Sequence, residues 1–536
     1  MRSMISILVA LTAMIGFSPV PDSTAAVTLS SMLTNHLVLQ RNRADPVWGW
    51  AQPGQKITVR FAGHTAAATA DAQGAWITRL PPIKASDVAR NLTISAGTQR
   101  IVLHDVLVGE VWLCSGQSNM QYPMSGWLHR TNLDKALAAA RHKTIRLYHV
   151  PMIESMFAGR PHLTAPARWQ VCTPHHAAGF SAVGYFFGNA LRKNLHVPIG
   201  LIEADWGGTN IEPWISAPGF FKYSNLKKEK DWLKPAMARE KALHHQAAPS
   251  NRTGLVNTPN AYHYNFQSTS WSPDPRQNPT TLFNGMINPL IPYGIRGVIW
   301  YQGENNVLSH DTHYYAKLQA LIHGWRHLWQ EGNLPFYIVQ IAPFNYSSKW
   351  CGPNDTDVPF EPLIWRAEEK AARRIPNCGI ASTMDIGDIY NIHPPDKREV
   401  GYRLALLAMA KTYGFRNVVY SGPQFKSADF SGKQVVIHFR HVAGGLASRS
   451  GKPLSWFQIA GTNGKFVLAQ AGIKGDSVVV QAPGVMNPTA VQFAWCDIAV
   501  PDLMNMAGLP ALPFQAVRRS SARLLPFLRV HAARLR

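Results

Sequence analysis

Residues Gly109 to Met120 read GEVWLCSGQSNM, and this stretch decides the fold prediction. Its first half, Glu110–Cys114, is an apolar run with the length of a buried strand, and a polar turn follows from Gly116. Open α/β sheets bind ligands beyond the carboxyl ends of their strands. A serine in such a turn, here Ser118, can expose its hydroxyl and lend its own N–H to an oxyanion. We therefore expect a ligand or catalytic site at this strand end.

After this stretch, apolar strand-like runs alternate with helical segments. The other predicted strands are Ile145–Val150, Ile199–Ala204, Gly297–Tyr301, Phe336–Ile341 and Ile380–Met384. The predicted helices are Leu133–Arg141, Ala182–Lys193, Tyr314–Trp329 and Lys397–Thr412. Such an alternation predicts an α/β fold in which a parallel sheet carries helices on both faces.

The composition changes along the chain predict several regions. Residues 109–414 are expected to form the α/β unit, and the polar segment 222–280 is expected to be an insertion that covers the site. Residues 27–108 and 415–517 contain short strand-like runs separated by Gly, Pro and Asn turns, which predicts flanking β-sandwich regions. Residues 518–536 are expected to be a basic tail.

The composition excludes several classes of protein. Among the 536 residues, 46% are hydrophobic and 10% aromatic, which excludes a wholly disordered chain. The formal net charge is +22, and six arginines of that excess follow Asp502, beyond which no acidic residue occurs. No zinc-finger spacing or RNA-binding signature accompanies the charge, so we expect no nucleic-acid partner.

The N-terminus has the pattern of an export signal. Arg2 precedes the apolar run Met4–Phe17, and the small residues Ala25 and Ala26 follow. The run is shorter than the roughly 20 residues of a membrane span. We therefore expect residues 1–26 to be a cleaved signal peptide, a secreted or periplasmic protein, and no stable membrane association.

An oxidising compartment permits disulfides, but the odd number of cysteines leaves at least one without a partner in the chain. The cysteines, whose pairing the sequence leaves open, are Cys114, Cys172, Cys351, Cys378 and Cys496.

Three further segments place polar groups after predicted strands. Residues 205–210 read DWGGTN, and the paired glycines let the backbone approach a substrate closely. Residues 300–306 read WYQGENN and offer side-chain amides that can complete an oxyanion hole, while Glu304 is expected to be structural or orienting. Residues 385–394 read DIGDIYNIHP and place His393 near acids, as in a base with its orienting partner. All four segments are predicted to lie at one edge of the sheet.

Two aspartates can orient His393. Asp385 and Asp388 both follow the predicted strand Ile380–Met384, and Asp388 is the closer to His393 in the sequence. Asp396 lies where an N-cap of the following helix is expected, which accounts for it without a catalytic role. We prefer Asp388 as the orienting acid, with Asp385 as its rival and a histidine without any orienting acid as the third possibility.

The GQSNM, DWGGT, WYQGE and DIGD…IHP segments together resemble the sialate O-acetylesterase family and the related polysaccharide acetylesterases, which belong to the SGNH hydrolase superfamily. The likeness covers most of residues 28–515. It implies that Ser118 is the nucleophile and His393 the base. It also implies an oxyanion hole formed by the Ser118 N–H, a glycine of the Gly207-Gly208 pair, which we assign to Gly208, and the amide of Gln302.

The sequence differs from the common superfamily pattern in two of these segments. Many superfamily members carry Gly-x-Asn in the third segment, so Asn305 is a rival to Gln302. Many also carry Asp three residues before the catalytic histidine, where this sequence has Tyr390. We further expect Gln117 and Asn119, on either side of the serine, to bind substrate.

The resemblance implies a secreted carbohydrate esterase that removes O-acetyl groups from sialic acid or related acetylated sugars and polysaccharides. The reaction would proceed through an acetyl-enzyme without a metal or cofactor, and the sequence contains no HExxH motif or Cys/His cluster. Two alternatives remain open: a catalytically inactive glycan-binding protein, and a lipase or thioesterase of the same superfamily that acts on non-sugar esters.

Overall fold

The structure is a computed structural model that describes residues 26–127, 133–156, 167–246, 271–347 and 360–518. These ranges leave out most of two expected segments: the signal peptide, residues 1–26, and the basic tail, residues 518–536. The middle of the expected insertion, 247–270, and Cys351 also lie outside the described ranges.

The strands before the first helix form a three-stranded antiparallel sheet and the N-terminal part of an eleven-stranded sheet. They are β1 (Thr28–Leu29), β2 (Val38–Gln40), β3 (Asp45–Trp50), β4 (Lys56–Phe61), β5 (His64–Thr69), β6 (Ala75–Leu80), β7 (Ser86–Ala96) and β8 (Gln99–Gly116). Strands β1, β3 and β6 form one sheet, while β4 pairs with β5 and β7. Buried and more exposed residues alternate along β4 and β6, so each turns one face to the core.

A larger sheet forms the centre of the chain. Its other strands are β9 (His142–His149), β10 (Trp169–Cys172), β11 (Ile199–Asp205), β12 (Gly297–Tyr301), β13 (Phe336–Val339) and β14 (Cys378–Ala381). The order is β10-β9-β11-β8-β12-β13-β14, and every pair is parallel except β10 with β9. All residues of β11 and β12 are buried, as is typical of parallel strands covered on both faces.

Strand β8 belongs to both of these regions. Its first half pairs with β7, and its last residues pair with β11 and β12. The predicted boundary between residues 108 and 109 therefore falls inside one continuous strand. The chain enters the central sheet there without a linker.

Helices cover the central sheet. They are α1 (Ser118–Gln121), α2 (Leu133–Ala138), α3 (Pro174–Ala178), α4 (Ala182–Leu195), α5 (Ala217–Phe221), α6 (Lys227–Gln246), α7 (Glu304–Leu308), α8 (Tyr314–Trp329), α9 (Glu361–Arg374) and α10 (Lys397–Lys411). Helix α4 packs on β11 and against α10, and α9 packs on β14 and against α8. The chain is thus a mixed α/β protein, as predicted. Within the described ranges, no helix is both long and apolar enough to cross a membrane.

The C-terminal strands form smaller sheets. They are β15 (Gln424–Ser431), β16 (Gln434–Arg440), β17 (Leu446–Ser448), β18 (Phe457–Ala460), β19 (Phe466–Leu468), β20 (Gln470–Lys474), β21 (Ser477–Gln481), β22 (Ala490–Phe493), β23 (Leu503–Asn505) and β24 (Phe514–Val517). Two four-stranded sheets, β15-β16-β21-β20 and β19-β18-β22-β24, account for most of them. Among the cysteines, Cys114, Cys172 and Cys378 are free and buried, and Cys496 is disulfide-bonded.

Candidate active site

The ends of three neighbouring strands bring the motif segments together. Gly116, the last residue of β8, lies opposite Asp205 of β11 and Tyr301 of β12. The backbone of Gly116 has φ +148°, and a Cβ there would lie 2.0 Å from the Tyr301 carbonyl oxygen. Only glycine fits this position. The GQSNM, WGGT and QGE turns therefore leave the sheet side by side.

Ser118 is the first residue of the one-turn helix α1. Gln117 before it is extended, so the chain turns sharply at the serine. Ser118 is partly exposed, while Gln117 and Asn119 on either side are buried. Its hydroxyl lies 2.9 Å from His393 Nε2, across 275 residues of sequence.

His393 lies in the loop between β14 and α10. Its backbone N–H donates to Asn391 Oδ1 at 3.0 Å, and its ring meets the exposed Trp127 indole edge-on at 4.9 Å between centroids. Burial, and then the nearby charge of Lys397, lower the pKa of His393 from 6.5 to about 4. The ring is therefore neutral at neutral pH, and Nε2 can accept the Ser118 hydroxyl hydrogen.

The structure does not bring the predicted orienting acid to His393. Asp388 Oδ1 accepts the Tyr390 N–H at 2.9 Å, so this carboxylate stabilises the turn of its own loop. Asp385 is held by both terminal nitrogens of Arg403, at 2.7 and 2.8 Å. Across the described parts of the chain, no carboxylate hydrogen-bonds to His393. The expected Asp388–His393 contact is therefore corrected to a turn-forming role for Asp388.

Asp396, the third nearby acid, caps α10 by accepting the Glu399 N–H at 3.0 Å. This is the N-cap role that the sequence predicts.

The glycine pair lies against the serine. A Cβ built on Gly207 would be 3.2 Å from Ser118 Cβ, and the Gly207 N–H donates to Gln121 Oε1 at 2.9 Å. Gly208 has φ +70°, and its carbonyl accepts a 2.6 Å hydrogen bond from Gln277. Because Gln277 belongs to segment 222–280, that segment contacts a loop of the site.

The two amides considered for the oxyanion hole have different surroundings. Gln302 is 0% exposed, and its NH₂ group donates to Thr209 O at 3.1 Å and Asn306 Oδ1 at 2.7 Å. Its Oε1 accepts the Tyr314 hydroxyl hydrogen at 2.9 Å. Gln302 thus joins neighbouring segments inside the protein. Asn305 is only partly buried, and its amide contacts Asn210 Oδ1.

The residues expected to bind substrate are buried. Gln117 is 3% exposed, and its side-chain amide hydrogen-bonds to that of Gln302 at 3.1 Å. Asn119 is 1% exposed, and its Nδ2 donates to Glu304 Oε1 at 2.5 Å and Ile392 O at 2.9 Å. Both side chains are therefore enclosed by hydrogen bonds to the neighbouring segments.

Lys397 is a site residue that the sequence predictions missed. Its ammonium group, fully buried, donates to Asn119 Oδ1. Burial lowers its pKa from 10.5 to about 7, against the opposing charges of Glu304 and Asp396. A basic residue in the first turn of a helix is unfavourable for the helix dipole, and this was the available signal in the sequence. Glu304, buried beside it, has a raised pKa because of burial.

Comparisons with known proteins agree with the four motifs. A family model described as "Carbohydrate esterase, sialic acid-specific acetylesterase" matches residues 108–246 and 233–409. The chain is 29% identical to the sialate O-acetylesterase of Rattus norvegicus over 447 residues, covering 77% of this chain and 78% of that protein. It is 30% identical to that of Homo sapiens over 425 residues, covering 74% and 72%.

A solved structure is also similar. The carbohydrate acetylesterase of Xanthomonas citri superposes with a TM-score of 0.77 and 34% sequence identity, covering 92% of this chain and 99% of that one. Together with the sequence matches, this confirms the resemblance that the motifs carry.

Proposed function

Because this chain belongs to the sialic acid-specific acetylesterase family of carbohydrate esterases, we propose that Ser118 and His393 are the nucleophile and general base that remove O-acetyl groups from a sugar. The family makes the chain a carboxylic ester hydrolase. The observation that carries the proposed roles is the 2.9 Å contact between Ser118 Oγ and His393 Nε2. At this distance an imidazole can take the hydroxyl proton.

The reaction has two halves. Ser118 Oγ attacks the acetyl carbonyl while His393 Nε2 takes its proton. The tetrahedral oxyanion collapses, the imidazolium gives its proton to the sugar oxygen, and the deacetylated sugar leaves. His393 then takes a proton from water, which attacks the acetyl-enzyme; the imidazolium returns this proton to Ser118 Oγ as the acyl–oxygen bond breaks, and acetate leaves.

The developing oxyanion needs donors that do not already serve the fold. We assign this role to the Ser118 N–H, the Gly208 N–H and the Asn305 amide. Asn305 is preferred to Gln302 because Asn210 Oδ1 engages one of its two amide hydrogens, whereas both hydrogens of the Gln302 amide have buried acceptors. Preorganised donors of this kind stabilise the charge where it forms.

The base works without a carboxylate on its other ring nitrogen. The proposed mechanism is accordingly a Ser-His pair, not the Ser-His-Asp triad with Asp388 that the sequence favoured. Low basicity is the expected cost, since the His393 pKa of about 4 reduces the driving force for proton transfer. In return, the His393 ring stays neutral, and so able to accept a proton, over a wider pH range.

An exposed aromatic beside the base supports a sugar substrate. Trp127 is 41% exposed, and its indole contacts the His393 ring. Flat aromatic side chains commonly line small-molecule sites, where they give large contact area at fixed geometry. We propose that Trp127 packs against the acetylated sugar during catalysis.

We also propose the larger setting of this site. The parallel arrangement around β8, with Ser118 in the turn after it, suits an SGNH-hydrolase core, with the β regions 27–108 and 415–517 as flanking sandwiches. The Met4–Phe17 run before Ala26 supports export to the periplasm or outside the cell. Sequencing the N-terminus of the exported protein tests this, with a start near Val27 expected.

Acetate release from acetylated carbohydrates tests the function. The panel is O-acetylated sialic acid, xylan, xyloglucan and pectin, measured beside p-nitrophenyl esters of increasing chain length. Acetate release from at least one carbohydrate, lost in Ser118→Ala, is expected. No hydrolysis at all would support the inactive glycan-binding alternative. Better hydrolysis of long-chain esters than of any acetylated sugar would support the lipase alternative.

A further inference from the structure

A buried lysine lies directly behind the Ser118–His393 pair. Lys397 is 0% exposed, although it begins α10 only four residues after His393. Its ammonium group lies over the rings of Tyr122 at 5.0 Å and Tyr301 at 5.6 Å. Removing an ammonium group from water costs several kcal/mol unless partners replace the lost hydration. An apolar side chain would fill this position without that cost, so the buried ammonium group calls for a role beyond packing.

Lys397 fixes the orientation of the Asn119 amide. The protonated form of Lys397 can only donate, and its donation to Asn119 Oδ1 sets which end of the amide faces it. The Asn119 NH₂ group is then directed to its two acceptors, Ile392 O at 2.9 Å and Glu304 Oε1 at 2.5 Å. With the opposite orientation, Asn119 would present an oxygen to both acceptors and a donor to the ammonium group.

Asn119 in turn joins the two reacting segments. It follows Ser118 in the sequence, and Ile392 precedes His393. The hydrogen bond from Asn119 to the Ile392 carbonyl therefore ties the turn of the nucleophile to the loop of the base. In the described structure no carboxylate does this through the His393 ring.

We propose that Lys397 is a positioning residue that, acting through Asn119, holds His393 at the distance from Ser118 needed for catalysis. This inference rests on the proposed function of the pair. It assigns to a buried cation and an amide the orienting task that an aspartate has in a Ser-His-Asp triad.

The charged groups around Lys397 give the inference a pH signature. Glu304 and Asp396 stabilise its positive charge, and that charge in turn lowers the pKa of His393, in addition to the larger effect of burial. Among the residues that the structure describes, Lys397 is the one charged group that lowers the His393 pKa. A neutral side chain at position 397 therefore raises the pKa of His393, and the acidic limb of the activity profile moves to higher pH.

The first test compares Lys397→Met with the wild type on p-nitrophenyl acetate. Methionine retains the apolar stem and removes the ammonium group. We expect kcat to fall on the order of 10- to 100-fold with KM within about twofold, because small misplacements of reacting groups have effects of this size. The acidic limb should move to higher pH. Arg398→Met, an exposed neighbour on α10, is the control and should match the wild type.

The second test asks whether Lys397 acts through Asn119. In a double-mutant cycle of Lys397→Met and Asn119→Ala, the losses should be strongly non-additive. Additive losses, or an unchanged kcat in folded Lys397→Met, would overturn the inference.

Asn119→Asp covers the case in which Lys397→Met does not fold. It retains an oxygen for Lys397 and removes the donor to Ile392, so kcat should fall while the ammonium group stays in place. Wild-type kcat in this variant would also overturn the inference. Failure of the proposed function looks different, since the wild type itself would then release no acetate or Ser118→Ala would remain active.

Discussion

Lowering the pH tests the state of the His393 imidazole. Burial and then Lys397 hold its pKa at about 4, below the ordinary 6.5. The base must be unprotonated to accept the Ser118 proton, so kcat/KM follows the neutral fraction of the free enzyme. At pH 5, about 90% of a group with a pKa of 4 is neutral, against about 3% for a pKa of 6.5. The two cases differ roughly 30-fold in activity relative to the plateau.

The assay is kcat/KM for p-nitrophenyl acetate between pH 3.5 and 8 (about half-unit steps) at constant ionic strength. Acetate release is measured separately, so that the colour change of the phenol does not bias the profile. Circular dichroism at each pH, and recovery of activity on return to pH 7, exclude unfolding as the cause of any loss.

We expect activity at pH 5 close to the plateau and a half-maximum near pH 4. A half-maximum at pH 6 or above, in protein that is still folded, would show that burial and Lys397 do not depress the pKa of His393 in solution. A half-maximum clearly above 6.5 would require a negative charge near the imidazolium.

Three further predictions concern the oxyanion, the substrate and stability. Asn305→Ala should lower kcat on the order of 10²-fold, whereas Gln302→Ala should mainly lower the melting temperature; the reverse result would return the oxyanion role to Gln302. Trp127→Ala should raise KM for an acetylated sugar but leave p-nitrophenyl acetate hydrolysis nearly unchanged, and equal losses on both would contradict its contact with sugar. Asp45→Asn should stabilise the protein, because burial raises the pKa of Asp45 from 3.8 to about 8. The folded state then keeps a proton that the unfolded chain releases, so the wild type loses up to about 1.4 kcal/mol per pH unit between pH 4 and 8. Thermal melts should show a gain for Asp45→Asn that grows over this window, and a constant gain would contradict the shift.

The bounds of helices and strands were predicted best where the residues of the element itself show a strong pattern. Helix α8 has the predicted bounds, Tyr314–Trp329, and β12 has the predicted bounds, Gly297–Tyr301. Each has a strong local pattern: helical periodicity in α8, and in β12 a short apolar run of strand length. Helix α9 was missed because its sequence is rich in charge and has few large apolar residues. Helix α6 was missed because its segment reads as a polar insertion.

The site shows a similar division. The family resemblance implied that Ser118 and His393 act together, and the strand ends indicated that their segments lie at one edge of the sheet; the two side chains are 2.9 Å apart. The partners of Asp388, Asn119 and Lys397 depend on the path of separate loops and on which carboxylate is nearest in space. Sequence distance does not reveal these partners. The aspartate that we preferred therefore stabilises its own turn, and Lys397 was not assigned a role in the site.

The central claim is that Ser118 carries the acetyl group during turnover. The most direct measurement is mass spectrometry of protein quenched with acid during hydrolysis of an acetyl ester, combined with kcat for Ser118→Ala. We expect one acetyl group on the peptide that contains Ser118, its absence in Ser118→Ala, and a loss of roughly 10⁴-fold or more in kcat with the fold intact. Near-wild-type turnover by folded Ser118→Ala, or an acetyl group on a different residue, would contradict it.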